Sequence, residues 1–465
     1  MPPVKFFNTL GRALQAFEPL SGKSVRLYTC GPTIYNRVHI GNLRTFLWED
    51  VLRRSLVRFG YDVTQVMNLT DVDDKTIRGA LEAGEPLRQF TEKYAEAFFR
   101  DLETLGVRKA ERYPRATDHV PEMIELIHRL KERGHTYETD GSVWFRIATF
   151  PRYGALSGID LSQARQGSRV ADDEYEKDDP KDFALWKAAK PGEPAWDSPF
   201  SSGRPGWHLE CSAMSMRYLG ESFDIHTGAV DNIFPHHENE IAQSEGATGK
   251  PFVRYWLHAE HLIVDGEKMS KSKGNFFLLD DLLRKRSDPA AVRYLFLSVP
   301  YRQKLNFTWD ALDAAAAAVQ RLRNADANLA DYARRRGEGA EGGADPLAET
   351  LAGAFDEALA DDLNTARALG ALFDWVREIN QAIDAGAFSR DGAAKAREAL
   401  RSADAVLGIL LPEEILPADI EALIEERLDA RRRKDFARSD AIRNDLLARG
   451  IVLEDTPQGT RWKKA

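Results

Sequence analysis

Cysteine is scarce in this chain of 465 residues, because only Cys30 and Cys211 occur. Two cysteines are too few for a disulfide framework and are typical of a protein in a reducing compartment. No run of about 18 apolar residues is present, which argues against a membrane-spanning helix. Residues 1–20 carry charges within their apolar stretch and show no clear cleavage pattern, so they do not predict a signal peptide. Together these absences predict a cytoplasmic protein.

An excess of positive charge is also missing, since the formal net charge is −9. Taken alone, this sum argues weakly against binding to nucleic acid. The charge is unevenly distributed, however, because from Arg431 to the end ten Lys or Arg stand against five Asp or Glu. A long polyanion could therefore meet a local basic surface on an acidic protein.

The order of the elements predicts an α/β fold. Residues 25–30 have the composition of a strand and are followed by a Gly31-Pro32 break, residues 43–60 have helical spacing, and a second strand is expected over 62–71. This order is typical of the βαβ unit of a parallel sheet. Residues 114–205 begin with an amphipathic helix and continue as an irregular stretch from residue 136, and they interrupt the sheet as an insertion. Further strands are expected in SFDIHTG and EHLIVDG, and helices dominate from Asp310 onward.

Four side chains could form a metal site. Cys30 ends the first predicted strand, and ligand sites in open parallel sheets gather at the carboxyl ends of strands. His236 and Glu240 lie four residues apart, so on a helix they share one face, and Cys211 supplies a second thiol. Such a set can bind zinc tetrahedrally. The spacing of the cysteines matches no local finger pattern, so buried, purely structural cysteines remain the alternative, and His237 is an alternative ligand.

Two short motifs suggest nucleotide binding. HIGN, residues 39–42, opens a predicted helix, whose N-terminus favours phosphate. There Gly41 permits close approach of the backbone, while His39 and Asn42 can donate hydrogen bonds. The alternative is a capping turn with an incidental histidine. KMSKSKGN, residues 268–275, predicts a mobile basic loop that could close over a triphosphate, against the alternative of a solvated surface loop.

The C-terminal tail mixes cations with aromatic rings. This composition suits unstacked RNA bases, which stack on rings and guanidinium planes. Asp440 and Asp455 could accept hydrogen bonds from bases. An exposed helix with ordinary ion pairs is the alternative. The cations and rings concerned are Arg431, Arg432, Arg433, Lys434, Phe436, Arg461 and Trp462.

These motifs, with their flanking sequences, resemble cysteinyl-tRNA synthetase. HIGN followed by KMSKS is the paired signature of class I aminoacyl-tRNA synthetases. The resemblance narrows to the cysteine enzymes through the segments YTCGPTIYNRVHIGNLRTF, NLTDVDDK, GRPGWHLECSAMSM, FDIHTGAVDNIFPHHENEIAQSE, EKMSKSKGN, DDLNTARALGALFD and GIVLEDTPQGTRW. It covers essentially the whole chain.

The resemblance implies a role for each matching residue. Zinc would be held by Cys30, Cys211, His236 and Glu240. The cysteine pocket would be lined by Gly31, Thr70 and Trp207. ATP or the adenylate would contact His39, Gly41, Asn42, His226, Asp231, Lys268 and Lys271, of which His39, Asn42, Lys268 and Lys271 would be catalytic. In the tail, the resemblance places the anticodon contacts among Arg431, Phe436, Asp440, Asp455 and Trp462.

The resemblance also implies a division of the chain. A Rossmann-like catalytic domain would occupy residues 1–113 and 206–250 around a connective insertion at 114–205. A stem-contact region with the KMSKS loop would follow at 251–309, a tRNA-binding helical bundle at 310–408, and a small anticodon-binding domain at 409–465. ATP with Mg²⁺, L-cysteine and tRNA(Cys) are the expected substrates, and a monomer is expected.

Two positions depart from the common pattern of the family. Asn42 stands where the first motif commonly has a second histidine, and an amide can still donate a hydrogen bond. Ala229 stands where glycine is usual, which would strain the chain by about 1 kcal/mol if this position needs a positive φ.

Two other functions fit parts of the pattern. A ligase that joins cysteine to an amino sugar would share the catalytic core but would not need the tail. A non-catalytic RNA-binding paralogue would be expected to lose His39, the KMSKS lysines or a zinc ligand, and all of these residues are present.

Overall fold

The structure is a computed structural model. It describes residues 2–159, 178–179, 181–285, 288–335, 342–410, 418–449, 451–456 and 459–464. The chain forms two compact units, Met1–Leu410 and Leu411–Ala465. Among the helices that the structure describes, none combines the length and the apolar character needed to cross a membrane.

The first unit opens with a hairpin and a βαβ unit. The elements are β1 (Lys5–Asn8), β2 (Ala13–Ala16), β3 (Ser24–Thr29), α1 (Ile40–Arg58), β4 (Asp62–Met67), α2 (Asp74–Ala83) and α3 (Leu87–Thr104). Helix α1 is mostly buried, and the chain leaves it through Gly60, whose φ of 83° favours glycine. The predicted strand, helix and second strand are therefore present, although α1 begins at Ile40 rather than at residue 43 and β4 ends at Met67 rather than at residue 71.

The insertion contains more regular structure than its composition predicts. Its elements are α4 (Val120–Glu132), β5 (Thr136–Thr139), β6 (Ser142–Phe145), β7 (Phe183–Ala188) and β8 (Gly203–Pro205). The four strands form an antiparallel sheet in the order β5-β6-β7-β8. The prediction of an irregular stretch from residue 136 was therefore wrong for these strands. All four strands are short, and β7 and β8 lie far along the chain from the β5–β6 hairpin. They gain their stability by burying apolar side chains such as Val143 and Leu185 in one core with α4. Residues 160–177 and 180 lie outside the described residues.

The central sheet is completed after the insertion by α5 (Trp207–Leu219), β9 (Phe223–Ala229), α6 (Glu238–Thr248) and β10 (Val253–Ala259). The four strands are all parallel and lie in the order β10-β9-β3-β4. The chain leaves β3 for β4 on one side, whereas β9 pairs with β3 on the other. The carboxyl ends of β3 and β9 therefore flank a topological switch point, where open α/β sheets bind their ligands.

Smaller elements and a helical bundle complete the first unit. They are β11 (Leu262–Val264), β12 (Glu267–Lys268), α7 (Leu279–Lys285), α8 (Pro289–Leu297), β13 (Leu305–Phe307), α9 (Trp309–Arg335), α10 (Leu347–Ala360), α11 (Thr365–Asp384) and α12 (Arg390–Leu407). Strand β11 pairs with β12 and with β13. The helices α9 to α12 occupy the region predicted to be helical. Of the predicted Gly-rich hinge, residues 337–346, those up to 341 lie outside the described part of the chain.

The second unit is small and mixed. It contains α13 (Ala418–Arg432), α14 (Phe436–Ala448), β14 (Ile451–Thr456) and β15 (Gly459–Lys464), and the two strands form an antiparallel hairpin. A hydrophobic core joins the helices to the hairpin through Ile420, Ile442, Leu446, Ile451 and Leu453. Of the predicted linker at 409–418, residues 411–417 are not described.

A buried arginine links three parts of the first unit. Arg293 on α8 is 1% exposed, and its guanidinium contacts Asp50 of α1 at 2.6 Å. It also donates to the carbonyl oxygen of Leu105 at 3.0 Å and to that of Leu407, the last residue of α12. These carbonyls and the carboxylate compensate the desolvation of the cation.

Replacing Arg293 by alanine should therefore destabilise the protein strongly. A buried carboxylate would lose one of its two cationic partners and two carbonyls would lose a donor, which costs roughly 3 kcal/mol or more. We expect the midpoint of thermal unfolding to fall by several degrees. Arg88→Ala is the control, because Arg88 pairs with Asp118 at an exposed site and such pairs contribute about 1 kcal/mol at most. Equal shifts for the two variants would contradict this role of Arg293.

Candidate active site

The four predicted metal ligands meet at the switch point of the central sheet. Cys30 directly follows β3, Cys211 lies on α5, His236 lies in the turn before α6, and Glu240 lies in the first turn of α6. One donor atom from each of the four lies within 4.8 Å of the others. All four residues are buried. Sequence spacing could not show this convergence, because it depends on the order of the strands.

Burial disfavours the charged forms of this cluster more than its own side chains compensate them. Burial lowers the pKa of His236 to about 3 and raises the pKa of Glu240 to about 8. The pKa of Cys30 is raised well above its ordinary value by its contact with Cys211 and by burial. Burial likewise raises the pKa of Cys211, against the contact with Cys30. A cation would reverse this balance, because it stabilises thiolates and a carboxylate and releases their protons.

One oxygen of Glu240 has the placement of a metal ligand. Its Oε1 is buried and makes no hydrogen bond to any residue that the structure describes, although His236 Nε2 lies 3.1 Å away. A buried carboxylate oxygen without a donor is costly. Its proximity to an imidazole nitrogen is expected where both atoms face the same ion. The residues present therefore fit a metal ion.

Further histidines surround the cluster. His208 Nδ1 lies 2.8 Å from His236 Nδ1, and Trp207 stacks on the His236 ring at 4.3 Å. Behind the cluster, His237 Nε2 lies 3.3 Å from Cys30 Sγ, and His237 Nδ1 lies 2.8 Å from His258 Nε2. Such partners fix the orientation and the tautomer of imidazoles that face a metal.

The hairpin β1–β2 closes this chain of polar contacts. Thr9 Oγ1 lies 2.7 Å from His258 Nδ1, and the Thr9 amide donates to the carbonyl oxygen of Trp256. Sequence analysis missed both Thr9 and His258. His258 could have been found, because it lies near the carboxyl end of a parallel strand, as Cys30 does. Nothing in the sequence marks Thr9.

The residues predicted to bind cysteine lie around the metal cluster. A Cβ atom at Gly31 would lie 1.7 Å from the carbonyl oxygen of Asn68, so only glycine fits there. Asn68, which sequence analysis did not single out, accepts from the Gly31 amide at 2.9 Å and donates to Thr70 Oγ1 at 3.1 Å. Trp207 is 42% exposed beside His236. The role of Gly31, Thr70 and Trp207 as a pocket stays a prediction.

The first nucleotide motif forms the start of α1. His39 Nδ1 accepts hydrogen bonds from the amides of Gly41 at 3.1 Å and Asn42 at 3.2 Å, which caps the helix. Because Nδ1 is an acceptor, the neutral ring carries its proton on Nε2. Burial lowers the pKa of His39, which favours this neutral form. Asn42 Oδ1 accepts from the His39 amide, so its Nδ2 group is left as a donor. His39 and Asn42 can therefore cap the helix, as the alternative interpretation holds, and still donate hydrogen bonds to a phosphate.

The second motif lies against the first. The Ile40 amide donates to the carbonyl oxygen of Phe277 at 3.0 Å, and the His39 ring meets Phe276 edge-on at 5.3 Å. A Cβ atom at Gly41 would lie 2.8 Å from the terminal methyl of Met269. Within the loop, Lys273 pairs with Glu267 at 2.8 Å. Lys268 is exposed, and the side chain of Lys271 lies outside the described part of the structure.

Two residues expected near the adenylate have different surroundings. Asp231 is half-exposed, lies 3.3 Å from His261, and favours the protonated form of His39 through its charge. His226 is fully buried, with its Nε2 atom 2.9 Å from Glu240 Oε2 and its ring stacked on Trp256. His226 therefore contacts the set of predicted metal ligands through Glu240. Ala229 has a φ of −87°, so the expected strain at this position does not arise.

The predicted anticodon residues lie in the second unit. Phe436 is 62% exposed at the start of α14, and Arg431 and Asp440 are exposed on the two helices. Asp455 and Trp462 belong to β14 and β15, and their side chains lie outside the described residues. The ion pairs of the helical alternative are also present, as shown by Arg432 with Asp429 at 2.8 Å. The anticodon contacts stay a prediction.

Models of known families match nearly the whole chain. A class I (C) tRNA synthetase catalytic domain matches residues 16–317, a DALR domain matches 354–411, and a cysteinyl-tRNA ligase anticodon-binding domain matches 414–462. The chain belongs to the cysteinyl-tRNA ligase family. The class I catalytic fold predicted from the sequence is thereby confirmed.

Individual relatives agree with this membership of the cysteinyl-tRNA ligase family. The chain is 50% identical to cysteine–tRNA ligase of Solibacter usitatus, over 99% of each chain. It is 49% identical to that of Chlamydia pneumoniae, over 98% of each. Among solved structures, a methionyl-tRNA synthetase of Mycobacterium tuberculosis has a TM-score of 0.60 at 16% identity, covering 83% of this chain and 90% of that one. A leucyl-tRNA synthetase complex of Agrobacterium radiobacter has a TM-score of 0.60 at 11% identity, covering 84% and 85%. These structures share the fold.

A buried carboxylic acid lies beneath the site. Glu49 on α1 is 0% exposed, and Thr227 Oγ1 donates to its Oε1 at 2.7 Å. Its Oε2 has no partner among the described residues. Burial raises the pKa of Glu49 to about 8 from an ordinary value of 4.5. The folded protein therefore keeps this proton over a range of pH in which the unfolded chain releases it.

This difference predicts that Glu49 destabilises the fold as the pH rises from about 4.5 to 8, because the unfolded state then gains from ionisation. Glu49→Gln keeps the acceptor for Thr227 and removes the ionisation. We expect its thermal midpoint to exceed that of the wild type by several degrees at pH 8.5 and to differ little at pH 5. Glu125 is exposed, so Glu125→Gln should have the thermal midpoint of the wild type at both pH 5 and pH 8.5. If the thermal midpoint of Glu49→Gln depended on pH as that of the wild type does, Glu49 would not be the group whose ionisation destabilises the fold.

Proposed function

We propose that this protein activates L-cysteine with ATP, giving cysteinyl adenylate and pyrophosphate, and transfers the cysteinyl group to the 3′ end of tRNA(Cys). The observation that carries the proposal is the buried set of two thiols, an imidazole and a carboxylate, in a member of this family whose two nucleotide motifs are in contact. A thiophilic ion held by these donors would bind a substrate thiolate more strongly than a hydroxyl or a hydrocarbon side chain.

The metal in this proposal is zinc. Two thiolates, one imidazole and one carboxylate suit tetrahedral zinc better than they suit magnesium or calcium, which prefer oxygen ligands. Bound zinc would supply a thiophilic Lewis acid that favours the substrate sulfur as a thiolate. Cys30, Cys211, His236 and Glu240 would hold the ion, and the stacked Trp207 would cover the exposed side of His236.

The choice of cysteine over serine is the main problem that this site would solve. The two amino acids differ by one atom, and an apolar pocket separates near-isosteres only about 100-fold. Asn68 holds the backbone of Gly31 beside the metal ligands and orients the Thr70 hydroxyl, so these residues would position the amino acid. The metal would then distinguish sulfur from oxygen, since a serine hydroxyl ionises far less readily than a thiol.

The nucleotide would be bound by the two contacting motifs. His39 Nε2 and Asn42 Nδ2 are the hydrogen-bond donors left after the helix cap has formed, and both suit phosphate oxygens. Lys268 and Lys271 would offset the charge that develops as pyrophosphate leaves. Magnesium would accompany ATP. The reaction needs mainly positioning and charge stabilisation of an in-line displacement.

The remaining partners follow from the same proposal. The exposed Phe436 and Arg431 of the second unit are suited to stacking with unpaired bases of the tRNA anticodon. A monomer in the cytoplasm is the proposed state of the protein. Phe436→Ala is expected to affect the tRNA-dependent step alone, because the adenylate forms without tRNA.

Pyrophosphate exchange and tRNA charging test the proposed function. The purified protein should contain one zinc per chain, exchange pyrophosphate with cysteine, and do so with serine more than about 100-fold less efficiently. It should then charge tRNA(Cys). In Cys211→Ser, the preference for cysteine over serine should collapse, because the metal would no longer be presented to the substrate.

The control for this experiment is Ser215→Ala, on the same helix as Cys211, which should keep the wild-type preference. Zinc-free wild-type protein that still prefers cysteine, or a Cys211→Ser variant as selective as the wild type, would contradict the role of the metal. Exchange without charging, together with transfer of cysteine to an amino sugar, would identify the other ligase. Absence of exchange in zinc-containing protein would favour the RNA-binding paralogue.

The cap at His39 permits a separate test of the nucleotide motif. Asparagine can cap a helix but cannot supply the Nε2 proton, so His39→Asn should keep its thermal midpoint while exchange falls about 100-fold. His39→Ala should lose both the donor and the cap, and the lost cap costs about 1 kcal/mol of stability. Full exchange activity in His39→Asn would show that the Nε2 donor is not used.

A further inference from the structure

A second set of four donors overlaps the predicted zinc ligands. The outer set consists of Cys30, Cys211, His236 and Glu240, and the inner set consists of Cys30, His226, His237 and Glu240. In each set one donor atom of every residue lies within 4.8 Å of the others. We propose that the inner set is a second position for the same metal ion, which holds it when Cys211 cannot. This inference rests on the proposed zinc site.

The separations within the inner set suit a tetrahedral ion. Ligands bound at 2.0–2.3 Å in this geometry lie roughly 3.3–3.8 Å apart. Cys30 Sγ lies 3.3 Å from His237 Nε2, which in turn lies 3.9 Å from Glu240 Oε1. His226 Nε2 lies 2.9 Å from Glu240 Oε2 and would need only a small shift.

The hydrogen bonds behind the inner histidines direct lone pairs toward the ion. His226 Nδ1 lies 3.2 Å from the carbonyl oxygen of Thr227, which can only accept, so Nδ1 carries the proton and Nε2 is free to bind a metal. His237 Nδ1 faces His258 Nε2, and His258 Nδ1 faces Thr9 Oγ1. A cation bound at His237 Nε2 would leave the ring proton on Nδ1. His237 would then donate to His258 Nε2, and His258 would donate from its Nδ1 to Thr9 Oγ1. This arrangement resembles the outer partners that typically orient metal-binding imidazoles.

The charges also allow the inner set to hold the ion stably once the Cys211 thiol is lost. One thiolate and one carboxylate neutralise a divalent ion, whereas the outer set adds a second thiolate and leaves a net negative charge. A neutral assembly costs less in a buried site. His226 and His237 are both 0% exposed, and Trp256, which stacks on His226, is 1% exposed. The outer set instead adjoins Trp207, which is 42% exposed. An ion in the inner position would therefore be retained without meeting a substrate thiol.

Both sets need Cys30 and Glu240, so a single ion would occupy one position at a time. Loss of the Cys211 thiol by substitution would remove a ligand from the outer set alone. The ion would then stay in the protein through His226 and His237, and the fold around the switch point would be kept.

Metal content and cobalt spectra of full-length variants test the inner position. The variants are Cys211→Ala, His237→Gln and the double variant. After gel filtration with zinc, both single variants should retain about one zinc per chain, and in the Cys211→Ala background His237→Gln should weaken zinc binding at least tenfold. With Co²⁺, Cys211→Ala should keep tetrahedral d–d bands while its thiolate charge-transfer band falls to about half, because one thiolate of two remains.

The control in the Cys211→Ala background is His135→Gln, a histidine that contacts Phe145 and Thr149 away from the cluster. It should leave zinc content unchanged. Helical circular dichroism of each variant checks that the chain is folded. Two results would overturn the inner position alone. One is a folded Cys211→Ala variant that contains no zinc, and the other is a Cys211→Ala variant whose zinc affinity does not change when His237→Gln is added. Wild-type protein without zinc would overturn the zinc site of the proposed function as well.

Discussion

The structure depends on burying several ionisable groups together without a permanent counter-charge. Two thiols, a carboxylic acid and a group of imidazoles meet at the carboxyl ends of β3 and β9, where burial keeps them neutral. A cluster of this kind weakens the fold unless something compensates its polar atoms. A cation is the compensation that its donor atoms suit. Folding, the proposed metal binding and the proposed choice of substrate are thereby linked at one place in the sheet.

The same constraint explains how the nucleotide motifs are arranged around the cluster. Helix α1 begins close to the switch point, and its first turn is capped by a neutral histidine, which leaves one ring donor directed elsewhere. The segment after the KMSKS loop is bonded to the backbone at Ile40, so the two motifs share one framework even before a ligand is considered. Lower in α1, Glu49 supports β9 through Thr227, and Asp50 meets Arg293. A single helix thus joins the nucleotide motif, the metal cluster and the helical bundle.

Much of this could be predicted from the sequence, for identifiable reasons. The βαβ unit follows from periodicity, and the candidate metal ligands and the proposed nucleotide residues follow from strings specific enough to suggest the family. Part of the antiparallel sheet of the insertion could have been predicted, because Asp140-Gly141 between β5 and β6 is a typical hairpin turn. Strands β7 and β8 could not, because they are short and are paired across interruptions of many residues. The polar chain from His258 to Thr9 was missed because nothing in the sequence marks Thr9. Whether Ala229 is strained depends on its φ angle, which the sequence does not give and which is −87° in the structure.

The contact between Thr9 and His258 has a consequence for synthesis of the chain. The hairpin β1–β2 is translated before the central sheet, yet Asn8 and Thr9 hydrogen-bond to residues of β10 that follow 246 and 249 positions later. The hairpin must wait without its partner while the central strands and the insertion are translated, since domains of this size generally fold as they emerge. Contacts between such distant residues also slow folding. The polar network around the metal cluster is therefore among the last parts of the catalytic domain that a nascent chain can complete.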